Sequence, residues 1–537
     1  METTINFNEV KYSVKAQVFL TKGQTTIVVN YNNKTIWISI LLTPLENKFF
    51  SYKQLNFNYN NYIFTRNAEK KNKDDKDILL SRAMDRSIRP YIPDHFPYNI
   101  AIESWNLGAN DDDVFIPLII GTTCGLLNLG IINHSIMPVV DGNIQLITTV
   151  YDNKIANMEL GAKEISIENL INIIKGKLDE YNEYNKEIIK TFNYKKYYEL
   201  VKTYKIHDIF TIENILNNIK EFSNNYENFQ EQLDQIVKFI IKKINDKVAH
   251  QFHHGHWDKF IDQWIVDTLK ESTIEKNNLF TEDIFLEVKK TLFCQNLIKS
   301  KIRQDGRKFQ DSRPITLESC ILNNFHNSVS LVKGKTRVLI GGYFLPQDKN
   351  YENKIHIKYI FNNFINPKRS SNRREIGHGH LIEKSIAKAV EDFNWKAFFN
   401  CYITNSDGSS SMLSVIACGL MIQKFQWPLK KISGISIGLM ENNGKENFLV
   451  DIAENEDFYC SMDMKITSTK NGIIGVQLDV KNQGISIQLL EKALVLGQKV
   501  NNKIINTLYK SSLDEITSGY YNNPTNTVIT CKNFIGK

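Results

Sequence analysis

Hydrophobic and polar positions follow two different periods along this chain, and the changes of period divide it into three zones. Up to about residue 145 short alternating runs predict strands, and TTIVVNYNNKTIWISILL predicts two strands around a Tyr-Asn-Asn turn. From about 165 to 300 the pattern becomes helical and rich in Lys, Glu and Asn, as in FQEQLDQIVKFIIKKINDKVAH. After Asp305-Gly306-Arg307 the strand pattern returns until about 490. The sequence therefore predicts two mixed α/β regions on either side of a helical one.

The first and last zones share an order of elements, which indicates an internal duplication. NKTIWISILL resembles GKTRVLIGGYF, and LLSRAMDRSIRPYIPD and REIGHGHLIEKSIAKAVEDF each predict a helix after an arginine-bearing loop. GTTCGLLNLG early and GSSSMLSVIACG late are each predicted to open an apolar helix with Gly and small residues. Only the late copy has three serines, paired arginines and an acidic cluster. We therefore predict a single working site, in the C-terminal copy.

Composition fits a folded protein of several domains and excludes some classes. The chain has 537 residues, which is too long for a single hydrophobic core. Of these residues 42% are hydrophobic and 23% are charged, as in a folded protein. Its net charge of +7 slightly favours a polyanionic partner. Seven scattered cysteines without a CxxC pair argue for a reducing compartment and against a disulfide or zinc framework. With no signal-peptide pattern at METTINFNEV, we expect a cytoplasmic location.

One apolar run, VFIPLIIGTTCGLLNLGII from Val114, is the segment most similar to a membrane span. It contains Pro117, three glycines and Asn128, so we predict a buried helix and no membrane contact. The three aspartates before it, Asp111, Asp112 and Asp113, are predicted to cap that helix rather than to bind metal.

A run of small polar residues, Gly408-Ser409-Ser410-Ser411, directly precedes the late apolar helix. A helix N-terminus presents unpaired N–H groups and the positive end of a dipole, so it can hold an anion. An ordinary N-cap, for which one serine is enough, is the alternative. Arg373, Arg374 and His378 in SSNRREIGHGH supply further donors to a phosphate. A solvated face is the alternative for the two arginines.

The third candidate segment is DIAENEDFYCSMDMKI. MDMKI alternates as a strand, which places Asp463 and Lys465 on one face, while Asp457 lies six residues back in a loop or strand start. Two carboxylates with a lysine fit Mg²⁺, which prefers oxygen ligands and bridges protein to substrate phosphate. A surface salt-bridge cluster is the alternative. With the anion site, these residues supply what a reaction at a phosphodiester needs.

At these residues the sequence resembles the polynucleotide phosphorylase family of RNA-turnover enzymes. RREIGHG, TNSDGSSSM and EDFYCSMDMKI resemble that family's second-core signatures in order and spacing, and LLSRAMDRSIRP resembles the matching helix of its first core. The resemblance implies an α/β (α+β) fold class with two RNase PH-like domains in tandem, joined by an all-helical domain. We expect a degenerate, non-catalytic first domain over 1–165 (or to about 200), helices over 166–300, a catalytic domain over 301–520 and the start of a KH module over 521–537.

The resemblance also implies the chemistry. Inorganic phosphate attacks the last phosphodiester of single-stranded RNA and releases a nucleoside 5′-diphosphate, with Mg²⁺ as cofactor and Mn²⁺ able to substitute. In reverse, nucleoside diphosphates are polymerised without a template. The implied assembly is a homotrimer with RNA in its channel, with partners in RNA-degradation complexes. The implied site residues are, for catalysis, Asp463 (the general acid), Asp457, Lys465, Arg373, Arg374 and His378; for phosphate, Gly408, Ser409, Ser410 and Ser411; for metal, Asp457 and Asp463; and for RNA, Phe64 and Arg66.

Several positions depart from the family pattern. YIFTRNAEKKNKDD keeps Phe64 and Arg66 but is shorter and has one arginine fewer than the family's RNA-gripping loop. Asn455 and Ser461 stand at positions that are acidic in the family, and His380 replaces an arginine. VITCKNFIGK stops on what resembles half of a KH Gly-x-x-Gly loop, so we expect the family's KH and OB-fold modules to be absent. We therefore predict weaker and less processive RNA binding.

Two other functions compete with this one. An RNase PH-like phosphorylase that trims tRNA 3′ ends is argued against by the duplication and the helical middle. A catalytically decayed RNA-binding scaffold is suggested by Asn455, Ser461 and His380. Finally, the histidines of AHQFHHGHWDKF (His250, His253, His254 and His256) are predicted to be a solvated helical face or loop rather than a zinc site, because no acidic general base stands between them.

Overall fold

The structure is a computed structural model of the chain. It describes residues 1–17, 24–44, 55–61, 75–94, 96–107, 114–203, 209–252, 257–271, 281–319, 327–346, 355–362, 372–390, 395–424, 429–442, 445–516 and 529–530. Phe64, Arg66, the aspartates 111–113 and His253, His254 and His256 lie outside these residues. So does most of 521–537, the predicted start of a KH module; its two described residues form a short strand.

The first α/β domain is built on antiparallel hairpins. Its strands and helices are β1 (Glu2–Phe7), β2 (Val10–Gln17), β3 (Gln24–Tyr31), β4 (Lys34–Pro44), β5 (Leu55–Asn61), α1 (Asp75–Ile88), β6 (Tyr98–Asn106), α2 (Phe115–Asn128), β7 (Met137–Asp141), β8 (Leu146–Tyr151) and β9 (Lys154–Ile165). β3 and β4 pair around Asn32 and Asn33, whose φ angles of 43° and 60° suit the tight turns of hairpins. The predicted strand pair around a Tyr-Asn-Asn turn is confirmed.

The helical segment comprises α3 (Ile167–Thr191), α4 (Tyr194–Thr203), α5 (Ile209–Gln251), α6 (Trp257–Glu271) and α7 (Thr281–Ser300). Its first part packs into the core of the first domain, where Tyr181 Oη donates to Ser135 O (3.0 Å). The second half of α5 forms a separate core with α6 and α7. This core also contains Leu449 and Tyr459 of the second α/β domain, so the helical segment packs against that domain.

The second α/β domain repeats the arrangement of the first. Its elements are β10 (Ile315–Ser319), β11 (Asn327–Lys333), β12 (Thr336–Pro346), β13 (Ile355–Phe361), α8 (Asn372–Ala389), β14 (Trp395–Asn405), α9 (Ser410–Lys424), β15 (Ser433–Asn442), β16 (Lys445–Val450), α10 (Glu454–Tyr459), β17 (Met462–Ser468), β18 (Ile473–Val480), α11 (Ile487–Ile516) and β19 (Ile529–Thr530). In both domains a parallel strand pair, β5 with β6 and β13 with β14, flanks a helix. The predicted duplication around a helical middle is confirmed.

One proposed equivalence between the copies is wrong. Gly121-Thr122-Thr123-Cys124 does not open α2 but lies well inside it. When Cys124-Gly125 is matched with Cys418-Gly419 inside α9, the counterpart of Gly408-Ser409-Ser410-Ser411 is Val114-Phe115-Ile116-Pro117. All four of these residues are buried and apolar. The first copy thus has no serines at its helix start.

The two α/β domains share one sheet. Strand β18 pairs antiparallel with β9, with Asp479 opposite Asn157 and Gln477 opposite Glu159. This pairing joins the last strands of both domains into a seven-stranded sheet of order β16-β15-β17-β18-β9-β8-β7. Helices α1 and α8, one from each domain, contact each other and pack on this sheet. Side chains of the first domain can therefore reach the face that carries Asp463.

The apolar run that begins at Val114 forms α2, and every one of its 14 residues is buried, as predicted. Within the described ranges, no helix combines the length and the apolar character needed to cross a bilayer. Five cysteines lie in those ranges, and all five are free and buried.

Candidate functional site

The serine loop, defined here as Asp407–Ser411, turns sharply into α9. Gly408 and Ser409 both have left-handed backbone, with φ of 79° and 62°. Glycine is required at 408 because a Cβ there would stand 2.5 Å from Ile452 O. The helix begins with Leu413 N donating to Ser409 O (3.1 Å). The turn ends at the first residues of α9, whose N–H groups have no partner within the helix, and such a helix start can hold an anion.

The serine hydroxyls are held by side chains and not only by the helix start. Ser436 Oγ donates to Ser409 Oγ (3.0 Å), and Tyr359 Oη donates to Ser410 Oγ (2.8 Å). Ser411 Oγ is buried and has no hydrogen-bond partner among the described residues. A buried hydroxyl without a partner is costly, so it marks a place that a ligand oxygen fits. A plain N-cap does not account for these contacts.

His378 of α8 faces the same loop through Tyr359. The two rings meet edge to face with centroids 5.2 Å apart, and Arg374 lies over the ring of Phe361 at 5.2 Å. Burial lowers the pKa of His378 well below its usual range, and the positive charges of Lys465 and Arg374 lower it further. Its Nδ1 has no partner in the described part of the chain. A neutral imidazole among cations is suited to bind an anion.

The acidic side chains lie one strand away from the serine loop. Ser436 on β15 stands opposite Lys465 on β17, and Gly438 stands opposite Asp463. Lys465 Nζ forms an ion pair with Asp463 Oδ2 (2.7 Å), so the predicted sharing of one strand face is confirmed. Asp463 is 7% exposed, and its Oδ1 has no hydrogen-bond partner among the described residues. Ser409, Ser436, Lys465 and Asp463 thus form a continuous chain of neighbours.

Asp457 was expected in a loop or strand start, which is wrong: it lies in the short helix α10. Burial, followed by repulsion from Asp463, raises the pKa of Asp457. Lys481 Nζ stands 3.7 Å from its Oδ1. Burial likewise raises the pKa of Asp479, which lies opposite Asp463 on β18. Carboxylates that oppose one another's ionisation in this way attract a cation.

Two arginines of the first domain reach this face. A Cβ on Gly377 of α8 would stand 2.9 Å from Arg82 Nε, so the Arg82 guanidinium lies directly on α8. Burial, followed by repulsion from Arg86, lowers the pKa of Arg82 to about 10. Arg86 forms an ion pair with Glu159 on β9. Both arginines also lower the pKa of His378, so the first domain adds positive charge to the site in the second.

The remaining predicted residues are placed as follows. Arg373 reaches the first domain, where its guanidinium donates to Asn58 Oδ1 (3.0 Å), so its described contact links the domains. Ser461 Oγ donates to Leu439 O (3.1 Å), and Asn455 Nδ2 donates to Gln304 Oε1 (3.4 Å). His380 is exposed on α8.

The donor set fits a magnesium ion that is completed by substrate oxygens. Within the described ranges, no group of three or more His, Cys, Asp or Glu side chains is arranged to hold a metal by itself. Mg²⁺ is often held by only one or two carboxylates together with water and substrate phosphate. Asp457 and Asp463 offer such a pair, and Asp463 Oδ1 is a buried oxygen still in need of a partner.

Sequence patterns missed several of these residues. Tyr359 reads as one apolar position of an alternating strand, and Ser436 as one small residue among others. Arg82 and Arg86 carried a usable signal, because two arginines one helical turn apart share a face. Asp479 could not be found from local pattern, since only the register of β17 and β18 brings it to Asp463.

The second α/β domain and most of the chain are similar to known proteins. Residues 311–428 match the 3′ exoribonuclease family, domain 1, the RNase PH domain. Proteins named polyribonucleotide nucleotidyltransferase are similar over most of the chain. That of Thermodesulfovibrio yellowstonii is 25% identical over 92% of this chain and 74% of its own length. Those of Sulfurihydrogenibium azorense and Wolbachia pipientis are each 27% identical, over 81% and 89% of this chain and 64% and 65% of their own lengths.

A solved structure, rice Rrp46, covers 39% of this chain and 100% of its own, with 18% identity and a TM-score of 0.35. The family match and the two repeated α/β domains with their helical insert confirm the predicted fold class. The match includes the serine loop, Arg373, Arg374 and His378, while the acidic residues follow it. Residues 311–428 are therefore similar to the RNase PH domain of the 3′ exoribonuclease family, and the candidate anion site lies within the matched residues.

Proposed function

We propose that this protein is a phosphorolytic 3′→5′ exoribonuclease, which degrades single-stranded RNA with inorganic phosphate and releases nucleoside 5′-diphosphates. One relationship carries the proposal: Ser436 links Ser409 of the anion site to the strand pair that holds Lys465 and Asp463. An anion site and a carboxylate are thus side by side, as phosphorolysis requires. The names of the similar proteins support the same reaction. The chain spans 64% to 74% of those proteins' lengths.

The reaction would proceed by displacement at phosphorus. Phosphate bound at the serine loop attacks the phosphorus of the terminal phosphodiester with one of its oxygens. The bond from that phosphorus to the 3′ oxygen of the preceding nucleotide breaks, and this oxygen takes up a proton. The products are a nucleoside 5′-diphosphate and an RNA shortened by one nucleotide. The reverse reaction would extend RNA from nucleoside diphosphates without a template.

The protein groups have separate tasks in this scheme. The N–H groups of the serine loop, Ser411 Oγ and the neutral imidazole of His378 would bind the attacking phosphate. Arg374 would balance the charge of the substrate. Asp463 is our candidate for the proton donor to the leaving 3′ oxygen, and Lys465 would orient it through their ion pair.

Asp457 and Asp463 are the residues that would hold Mg²⁺, for which Mn²⁺ could substitute. When bound, the ion would supply positive charge to the phosphate oxygens as negative charge develops. The buried, unpartnered Oδ1 of Asp463 supports this assignment. By resemblance we also propose a cytoplasmic homotrimer with partners in RNA-degradation complexes. Light scattering would test the trimer, because its measured mass should be three times the chain mass of 62.2 kDa.

The deciding experiment is product identity. Single-stranded RNA labelled at its internal phosphates is incubated with the protein and Mg²⁺, with and without inorganic phosphate. Nucleoside diphosphates formed only with phosphate support the proposal, whereas monophosphates formed equally without phosphate would make the protein a hydrolase. Comparing poly(A) with a tRNA precursor separates general degradation from tRNA trimming, and binding without any turnover would indicate a scaffold.

A further inference from the structure

A buried cluster of charged side chains lies behind the serine loop, and the proposed reaction does not use it. Its centre is Asp451, which is completely buried and has left-handed backbone with φ of 56°. Arg313 binds this carboxylate with two donors, Nε to Oδ2 (2.9 Å) and Nη2 to Oδ1 (2.8 Å). Lys333 Nζ stands 3.0 Å from Oδ1. Burial alone would raise the pKa of Asp451, but Lys333 and Arg313 hold it well below its usual range, so the carboxylate stays charged.

The same arginine also holds the backbone of the serine loop. Arg313 Nη1 donates to Asp407 O (2.6 Å), and its Nη2 lies 3.5 Å from Gly408 O. Thr336 Oγ1 donates to Gly408 O as well (2.9 Å). In a planar trans peptide the carbonyl and the following N–H point in opposite directions. Drawing these two carbonyls toward the buried cluster therefore turns the N–H groups of Gly408 and Ser409 the other way.

The turn that carries Asp451 is fixed to both halves of the candidate site. Its N–H donates to Ser436 O (2.8 Å), and Ile452 N donates to Ser436 Oγ (3.2 Å), the hydroxyl that binds Ser409. Arg303 Nη2 donates to the carbonyl of Asp451 (2.9 Å), and its Nε donates to Glu456 Oε1 on α10 (2.6 Å). The serine loop and α10 are therefore both hydrogen-bonded, directly or through one residue, to the turn that carries Asp451.

We propose that Asp451 and Arg313 are positioning residues for phosphate: they orient the backbone N–H groups of the serine loop toward the attacking anion. This inference rests on the proposed function, because the anion is identified as the phosphate of phosphorolysis. Both side chains are buried beneath the serine loop, so we assign neither of them a contact with RNA. Their loss should therefore weaken the binding of phosphate selectively.

Two variants test this. Asp451→Asn keeps the shape of the side chain but removes the charge that holds Arg313. Arg313→Lys keeps a cation next to Asp451 but removes the fork that reaches the loop carbonyls, so it also serves if Asp451→Asn folds poorly. Glu164→Gln is the matched control. Glu164 is a partly buried carboxylate that forms an ion pair with Lys430 (2.7 Å). It lies next to Thr469, which follows the end of β17 that is farther from Asp463.

The KM for inorganic phosphate is measured at saturating RNA, and the KM for RNA at saturating phosphate. We expect the phosphate KM of both variants to rise roughly ten- to a hundred-fold, the scale on which misplacing a binding group acts. The RNA KM should stay within about two-fold, and the control should match the wild type in both. The rise of Tm on adding inorganic phosphate without RNA gives a second readout, and it should be reduced in both variants.

An unchanged phosphate KM in folded Asp451→Asn and Arg313→Lys would overturn the inference, as would an equal rise in both KM values. Failure of the proposed function has a different signature, because wild-type protein would then form no nucleoside diphosphates. In that case the Tm readout still decides whether Asp451 and Arg313 position an anion. An unaltered phosphate-dependent Tm shift in both variants would then overturn the inference.

Discussion

The hydroxyl of Tyr359 donates a hydrogen bond to Ser410 Oγ (2.8 Å), and the ring of Tyr359 packs edge to face on His378 with ring centroids 5.2 Å apart. One buried strand residue therefore fixes a serine of α9 relative to a histidine of α8. Burial raises the pKa of Tyr359 far above its usual range, so its hydroxyl remains a donor at any physiological pH. The position of the candidate anion site depends on this hydroxyl.

Replacing Tyr359 with Phe should weaken phosphate binding while the protein stays folded. The variant leaves Ser410 Oγ without its donor, at a cost of about 1 kcal/mol in the free energy of unfolding, and lets the serine rotate. We expect a several-fold higher KM for phosphate, measured by initial rates, with stability measured by urea unfolding. Tyr59→Phe is the matched control, because Tyr59 occupies the same register in β5 as Tyr359 in β13. A similar rise of KM in the control would contradict this role.

A second prediction compares two glycines. Gly408→Ala should destabilise the protein by about 1–3 kcal/mol, because φ of 79° is unfavourable for alanine and the new Cβ would meet Ile452 O at 2.5 Å. Gly176→Ala should instead stabilise it by about 0.5–1 kcal/mol, because this helical glycine of α3 has nothing within 4 Å of a Cβ. Thermal unfolding of both variants measures the opposite signs. Equal stability of the two would show that the loop can relax.

Local pattern was enough to predict many elements of this chain. The hairpin at Asn32 and Asn33, the long helix α5 and the shared face of Asp463 and Lys465 all follow from periods of 2.0 and 3.6 residues. The helix α10 was missed because six residues are too few for a period. Its signal was local: Glu456 Oε2 accepts from Ala453 N (2.8 Å), the acidic half of a capping box.

Features that depend on long-range pairing could not be predicted. The register of β18 on β9, which joins the two domains in one sheet, is set by the packing of both domains together. Without that register, neither Asp479 nor Arg82 can be placed beside Asp463 and His378. The wrong match of GTTCG with the serine run has a similar cause, since Gly followed by small residues occurs both at a helix start and inside a buried helix.

His378 should make the protein sensitive to mild acid. Because its pKa in the folded protein lies well below the ordinary value of 6.5, the unfolded chain binds the proton more readily. Its contribution to the free energy of unfolding is therefore present above pH 6.5 and is lost as the pH falls below that value. His378→Gln should reduce this slope between about pH 6.5 and 5, as measured by urea unfolding at several pH values. A slope identical to that of the wild type would contradict a neutral, buried His378.

Arg82 should affect the site although it belongs to the first domain. Arg82→Gln removes a positive charge that lies on α8 beside His378, so the KM for phosphate should be several-fold higher than in the wild type. Lowering the salt concentration should also decrease this KM less in the variant than in the wild type. Arg89→Gln on the same segment is the control. Arg89 pairs with Asp85 (2.5 Å) and donates to Leu55 O (2.9 Å) within its own domain, so its loss should lower stability without raising KM. The reverse ranking of the two variants would exclude a role for the first domain in the site.

The two candidate metal ligands should differ in what they lose. Asp463→Asn should lower both phosphorolysis and polymerisation by at least about 100-fold, because general acids contribute on this scale, while RNA remains bound in a filter assay. Asp457→Asn should instead shift the Mg²⁺ titration of activity to higher concentration, since one of two carboxylate ligands is lost. Chelation should abolish the activity of the wild type, and Mn²⁺ should restore it. If Asp457→Asn were inactive at every Mg²⁺ concentration while Asp463→Asn was rescued by more metal, the proton donor would be Asp457.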